Sequence, residues 1–296
     1  MKKLASLLLL ALPLALGCSS SDGGSTGTGG TGGTAGTGGA GGSVFSADPP
    51  LVLDEDERPA MVAIPSDYDP STSYPLLILF HGIGFTGMIQ AGFFQIFDII
   101  DERQLVFVYP DGIDGAWNGA GCCGDSGDVD DVGYITGLIE EAKQVYNIDE
   151  DRVYLMGHSN GSWMSFRMAC ERSELIAAIV TLAGATWNDP DDCQPATLPV
   201  SVLNVHGTAD MSVPYEGGDF QPGAVETVER FAGRAGCDLE ATTSLESIDL
   251  FPTLAGVETH RVSYSTGCAE GIDAELWTIE EGPHTPVFLE TEWASL

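Results

Sequence analysis

The stretch Arg152–Cys170, RVYLMGHSNGSWMSFRMAC, constrains this chain more than any other. Val153–Met156 is a continuous apolar run of the length of a short buried strand. Gly157-His158-Ser159-Asn160-Gly161 follows, and Ser162–Cys170 then reads as a helix that is apolar on most sides. Strand, tight turn and helix around G-x-S-x-G is the context of a nucleophile elbow. In such a turn the serine backbone is strained, and the hydroxyl is lifted off the sheet edge. The two glycines lack a Cβ, so strand and helix can approach closely. The backbone N–H of Asn160 falls at a helix start, where it can stabilise a developing oxyanion. In a chain with 38 glycines a bare five-residue match carries little weight. The flanking pattern is what makes Ser159 a candidate nucleophile.

Residues 1–18 read as an export signal. Met1-Lys2-Lys3 is a basic start and Leu4–Leu16 a short apolar run, too short for a membrane span. Leu14-Ala15-Leu16-Gly17-Cys18 is similar to the lipobox of bacterial lipoproteins, although leucine usually occupies the position of Ala15. That likeness makes Cys18 a candidate lipidated N-terminus, with cleavage and release as the alternative. Residues 19–43 are almost entirely Gly, Thr and Ser. Such a segment cannot bury enough apolar area to offset chain entropy, so a flexible tether is expected. Residues 44–296 have the length of one large domain.

Asp and Glu number 44 against 11 Lys and Arg, a formal net charge of −33. Such a chain repels nucleic acid and anionic lipid, so neither is expected as a partner; membrane contact would come only through an anchor at Cys18. Of seven cysteines, six lie beyond Cys18, and an even number in an exported chain predicts disulfides. Cys237 and Cys268 bracket one C-terminal segment and are expected to pair. Cys122 and Cys123 are expected to pair with Cys170 and Cys193, in an order the sequence leaves open. No cysteine or histidine spacing predicts a zinc site, and no metal or organic cofactor is expected.

Strand and helix patterns alternate along the domain. Arg58–Ile64, Tyr74–Phe80, Leu105–Tyr109, Ala177–Leu182, Pro199–Val205, Glu258–Tyr264 and Ala274–Ile279 read as strands. Leu76–Phe80 has no polar alternation, which predicts a central strand buried on both faces. Met88–Arg103, Asp130–Tyr146 and Gly223–Gly233 read as helices, and Thr285–Trp293 is expected to include a closing one. Asp128, Asp130 and Asp131 crowd a helix N-terminus, where helix capping is favoured over acid–base chemistry. The alternation predicts a mostly parallel sheet flanked by helices. The turn His81-Gly82-Ile83-Gly84 ends a central strand, so the Ile83 amide is a second candidate oxyanion donor and His81 an orienting group. Trp117 lies on a long loop after another strand; it and His158 are candidate pocket residues, and Trp117 could equally pin the loop.

In an α/β-hydrolase the acid and the base follow the serine in chain order. Of the five histidines, His81 and His158 precede Ser159, His206 and His260 fall in strand patterns, and His284 follows the last strand on a Gly-Pro loop. Asp210 lies just after a buried strand, whereas Asp189, Asp191 and Asp192 read as a solvated turn. These considerations select Ser159, Asp210 and His284 as nucleophile, acid and base.

Taken together, Arg58–Gly82, Tyr109-Pro110-Asp111-Gly112, Trp117-Asn118, Cys122-Cys123, Asp130–Ile135, Arg152–Cys170, His206–Asp210, Val213-Pro214-Tyr215 and Gly282-Pro283-His284 resemble, in the same order, polyhydroxybutyrate depolymerase-like esterases. These belong with the feruloyl and acetylxylan esterases of carbohydrate esterase family 1. The resemblance implies an α/β-hydrolase fold without a large lid domain, an extracellular serine esterase, an ester substrate, and the family's serine, acid and base on Ser159, Asp210 and His284. Two positions depart from the family pattern: Thr285-Pro286 follows His284 without the usual tryptophan, and Ile83 stands where a cysteine is common. A serine peptidase on the same fold, or a silent surface-binding lipoprotein, are the competing expectations.

Overall fold

The computed structural model describes residues 45–119, 129–193 and 198–286. Cys18, the Gly/Thr tether, Asp128, the Cys122-Cys123 pair and most of the expected closing helix lie outside the described residues. Ten strands form one sheet: β1 (Val52–Leu53), β2 (Ala60–Ala63), β3 (Tyr74–Phe80), β4 (Val106–Tyr109), β5 (Ile148–His158), β6 (Ala178–Leu182), β7 (Ser201–Gly207), β8 (Thr243–Ile248), β9 (Thr259–Tyr264) and β10 (Ala274–Ile279). Their spatial order is β1-β2-β4-β3-β5-β6-β7-β10-β9-β8. The six central strands from β4 to β10 run parallel, and antiparallel pairs close both edges. This is the α/β-hydrolase architecture, and among the described residues there is no separate lid domain.

The helices are α1 (Gly87–Phe93), the single-turn α2 (Ile100–Arg103), α3 (Asp131–Val145), α4 (Asn160–Glu171) and α5 (Ala224–Arg234). Period-2 alternation in the buried strands feeds two cores at once. Leu76, Ile78 and Phe80 of β3 join Val106 and Val108 of β4 on one face, packed with Ile135 and Ile139 of α3 and Met164 and Phe166 of α4. Leu77, Leu79, Phe107 and Tyr109 point to the other face, against Phe94, Ile96 and Ile99. A smaller cluster packs Val228 and Ala232 of α5 on Tyr264, Ala274 and Leu276. Among the described residues no helix is long and apolar enough to cross a membrane.

Several expectations need correction. The apolar run Met88–Arg103 is not one helix. α1 stops at Phe93, Gln95 takes a left-handed φ of 53°, and a 3₁₀ turn over Ile96–Ile99 leads into α2. The break lets Phe94, Ile96 and Ile99 all reach the second core, which a continuous helix would place on different sides. β5 begins at Ile148, well before the apolar run, and the short β1 and polar β8 add to the edges.

Cys170 is bonded to Cys193, not to Cys122 or Cys123, and Cys237 is bonded to Cys268. The first bond staples the C-terminal turn of α4 to the loop after β6, a pairing across 23 residues. Asp130 caps α3 through the Gly133 amide at 2.8 Å. Asp131 does not serve as a solvent-facing cap: it is fully buried, pairs with Arg58 at 2.5 Å and accepts the Asn118 amide. The Arg58 guanidinium also lies over the Tyr134 ring at 3.9 Å, so one cation ties β2, α3 and the Trp117 loop together.

Candidate active site

Ser159 lies between the last residue of β5 and the first of α4, with φ 52° and ψ −122°. That backbone conformation is strained for a residue with a Cβ, and it persists because its surroundings over-determine it. A Cβ on Gly157 would fall 2.2 Å from the Gly161 carbonyl oxygen, and one on Gly161 would fall 2.1 Å from the Phe80 carbonyl oxygen. β3, β5 and α4 therefore meet backbone to backbone beneath the serine. The Ser159 amide donates to Leu182 O at 2.9 Å, which fixes the turn from the β6 side.

The loops after β7 and β10 bring two more side chains to the serine. The Ser159 hydroxyl is 2.9 Å from His284 Nε2, and His284 Nδ1 is 2.7 Å from Asp210 Oδ2. With a carboxylate beside Nδ1, that nitrogen carries the proton, and Nε2 is left to accept from the hydroxyl. The other Asp210 oxygen accepts the amides of Ser212 and Val213, each at 2.8 Å. Burial alone would raise the Asp210 carboxyl. Hydrogen bonds from His206 and His284 and from the Val213 amide outweigh it and hold the group well below the usual carboxylate range.

The two candidate oxyanion donors flank the serine. Asn160 is the first residue of α4, and its side chain is committed elsewhere: Oδ1 accepts the Trp117 amide at 2.7 Å and Nδ2 donates to Trp117 O at 3.0 Å. Across the groove, His81 is fully buried; its Nδ1 meets Gly82 O and its Nε2 accepts the Gly112 amide, each at 2.8 Å. Nδ1 is therefore the donor, and burial lowers the His81 pKa, which keeps the ring neutral. The Gly82 carbonyl belongs to the peptide whose N–H is that of Ile83. It accepts from His81 and from the Phe85 amide, so the orientation of the Ile83 N–H is set from behind. Among the described residues neither the Asn160 nor the Ile83 amide donates to a protein acceptor. The Ile83 side chain is 53% exposed, so it borders the open side of the site.

Trp117 and His158 do not line an open pocket. Trp117 is 0% exposed, packs edge-on against Phe80 at 5.2 Å and donates Nε1–H to His81 O, so it pins the loop. His158 is 2% exposed and stacks on Phe93. Its Nε2 donates to the carbonyl of His284 at 3.2 Å, and burial pushes its pKa down to about 4. It therefore supports the His284 loop from below. Gln90 was not apparent from the sequence; its Oε1 accepts the Gly82 amide and lies 3.3 Å from His158 Nδ1. His206, set aside as a strand residue, has its Nε2 3.3 Å from Asp210 Oδ2. The spacing His206-Gly207-Thr208-Ala209-Asp210 was the available signal for it. Asp189, Asp191 and Asp192 form the exposed turn expected. Among the described residues no group of three or more His, Cys, Asp or Glu is placed to hold a metal ion.

The chain is 28% identical over 185 residues to a probable feruloyl esterase C of Aspergillus niger, covering 61% of this chain and 63% of that protein. It is 25% identical over 236 residues to feruloyl esterase D of Neurospora crassa, covering 76% and 73%. The chain thus spans a little under two thirds of the first of these relatives. Among solved structures, an acetyl xylan esterase from Aspergillus awamori superposes with a TM-score of 0.59 at 14% identity, covering 81% of this chain and 94% of that one. No protein-family model matches the chain. The resemblance to feruloyl and acetylxylan esterases is thus met in the relatives, and the α/β-hydrolase fold in the structural neighbour.

Proposed function

We propose that the chain is a serine esterase that cleaves carboxylic esters through an acyl-enzyme on Ser159. The observation that carries this reading is the unbroken hydrogen-bond chain from the Ser159 hydroxyl through His284 to Asp210, with Ser159 at the strained apex of the β5–α4 turn. Ser159 Oγ attacks the ester carbonyl carbon while His284 Nε2 takes its proton, and Asp210 stabilises the imidazolium. The carbonyl oxygen becomes an oxyanion held by the Asn160 and Ile83 amides, each such donor supplying about 3 kcal/mol. Collapse breaks the ester C–O bond, and the imidazolium protonates the departing alcohol. Water, deprotonated by His284, then attacks the acyl-serine; the carboxylic acid leaves and the serine recovers its proton.

The feruloyl esterase relatives support feruloyl or acetyl esters of plant polysaccharide as the substrate class, ahead of hydroxybutyrate oligoesters. Export through residues 1–18, with Cys18 as a lipid anchor and 19–43 as a tether, is proposed alongside. Two disulfides support an oxidising compartment.

The test is fluorophosphonate labelling of the purified protein, followed by turnover of methyl ferulate, acetylated xylan, hydroxybutyrate oligomers and short p-nitrophenyl esters. Labelling at Ser159 with turnover of one ester class is expected. A folded protein that neither labels nor turns over any of them would remove the esterase reading and leave a binding protein.

A further inference from the structure

The catalytic acid has a second histidine. His206 sits at the end of β7, four residues before Asp210, and its side chain is 1% exposed. Its Nε2 lies 2.8 Å from Val213 O and 3.3 Å from Asp210 Oδ2, the same carboxylate oxygen that His284 Nδ1 meets at 2.7 Å. A backbone carbonyl can only accept, so the His206 proton is on Nε2 and bonds the carbonyl, with the carboxylate oxygen 3.3 Å from the same nitrogen. Its Nδ1 is buried with no hydrogen-bond partner among the described residues. The Tyr215 ring meets the imidazole edge-on at 5.7 Å. A buried ring nitrogen left without a partner costs stability. That cost is met here where the opposite nitrogen contacts the acid of the proposed triad.

We propose that His206 is a positioning residue that tunes Asp210, an inference that rests on the serine esterase reading. The Asp210 carboxylate is then faced by four N–H groups: His284 bonds Oδ2 and His206 stands 3.3 Å from it, while the Ser212 and Val213 amides bond Oδ1. Each donor spreads the carboxylate charge. Removing the His206 donor leaves more of it on Oδ2, where it holds protonated His284 more tightly. His284 then gives up its proton less readily, and activity falls first on the acid side. The other titratable groups facing the cluster are His158 from β5, whose ring lies 5.2 Å from that of His284, and Tyr215, which has Glu216 and Glu280 beyond it. Neither contacts Asp210 Oδ2, so the effect is assigned to His206.

The experiment compares the full chain with His206→Phe, which removes the donor but keeps an aromatic ring, and His206→Gln, which keeps an N–H near the Nε2 position. The rate of p-nitrophenyl acetate hydrolysis is followed from pH 5 to 9. His206→Phe is expected to lower kcat/KM at neutral pH roughly 3- to 10-fold, the rate equivalent of one net hydrogen bond, mostly in kcat. Its acid limb should move to higher pH, and His206→Gln should restore the limb. A folded His206→Phe protein with an unmoved acid limb would overturn the proposal and leave His206 as an anchor for the Val213 turn. Should the variants fail to fold, ¹⁵N-histidine NMR of the unmutated protein decides: an Nδ1–H tautomer at His206, or an Nε2–H resonance that does not respond as His284 is protonated, overturns the proposal, and an Nε2–H resonance that moves with His284 protonation sustains it. Absence of Ser159-dependent turnover in the unmutated protein would count against the esterase reading instead, and the NMR result stands apart from it.

Discussion

On the side of the proposed nucleophile, position is set by contact between backbones. Gly157 and Gly161 leave no room for a single extra carbon, and a buried strand and helix hold Ser159 in a conformation it would not choose. On the side of the proposed acid and base, position is set by hydrogen bonds between side chains and loop amides. Asp210 and His284 stand on loops after β7 and β10, held by His206, His158 and the Ser212 and Val213 amides. The first kind of positioning tolerates no added volume and is indifferent to pH. The second tolerates small changes of volume and depends on which groups carry protons. One site can therefore be broken in two distinguishable ways.

The largest effect is expected for Ser159→Ala, which should lower kcat by about 10⁵- to 10⁶-fold and abolish fluorophosphonate labelling while leaving the melting temperature close to that of the parent. Asp210→Asn should cost roughly 10⁴-fold in kcat, because an amide facing His284 favours the wrong tautomer. Retention of most of the activity in that variant would remove Asp210 from the proposed triad. Gly161→Ala tests the packed side directly. Its Cβ meets the Phe80 carbonyl, so a loss of about 3 kcal/mol in urea unfolding is expected, with activity lost in the same proportion across all pH values. A soluble Gly161→Ala protein of parental stability would show that β3 and α4 are not in the contact described.

The smallest effect concerns the bonded side and has a defined sign. Burial lowers the pKa of His158 from 6.5 to about 4 in the folded protein. Between those values the unfolded chain takes up a proton that the folded one refuses. The corresponding stability is therefore present above pH 6.5 and is lost as pH falls toward 4, by about 3 kcal/mol at most. Asp210, also lowered, adds loss in the same direction at still lower pH. Urea midpoints measured from pH 7 to pH 4 should fall, and His158→Gln should flatten the slope above pH 4. An unchanged slope in that variant would place the titrating group elsewhere.

The packed side was the more legible of the two in the sequence. A G-x-S-x-G flanked by an apolar strand and an apolar helix has few other ways to fold, and β3 runs over the residues that its continuous apolar character marks. Chain order then picked out Asp210 and His284, which the structure places within hydrogen-bond distance of each other and of Ser159. The bonded side was legible only to that extent. Whether His206 faces a carboxylate or the core depends on the direction of one side chain at a strand end, and spacing does not reveal it. Trp117 looked equally suited to pocket or core for the same reason. Edge strand β8 (Thr243–Ile248) and the acidic start of the central β5 were missed because their polar residues lack the pattern that marks a buried strand, and β1 because two residues carry no pattern at all. The cysteine pairing also escaped, since separation along the chain says nothing about which loop folds back on α4.

The chain contains only three lysines, Lys2, Lys3 and Lys143, and the first two fall within the segment expected to be removed on export. Lys143 sits in the last turn of α3 and pairs with Glu150, near the start of the strand whose far end carries Ser159. At a strand's rise per residue, the nine positions from Glu150 to Ser159 span on the order of 30 Å. With its side chain 15% exposed and paired with both Glu140 and Glu150, Lys143 is a poor target for acylation, so amine-directed reagents should leave the described domain almost unmodified and its serine site untouched.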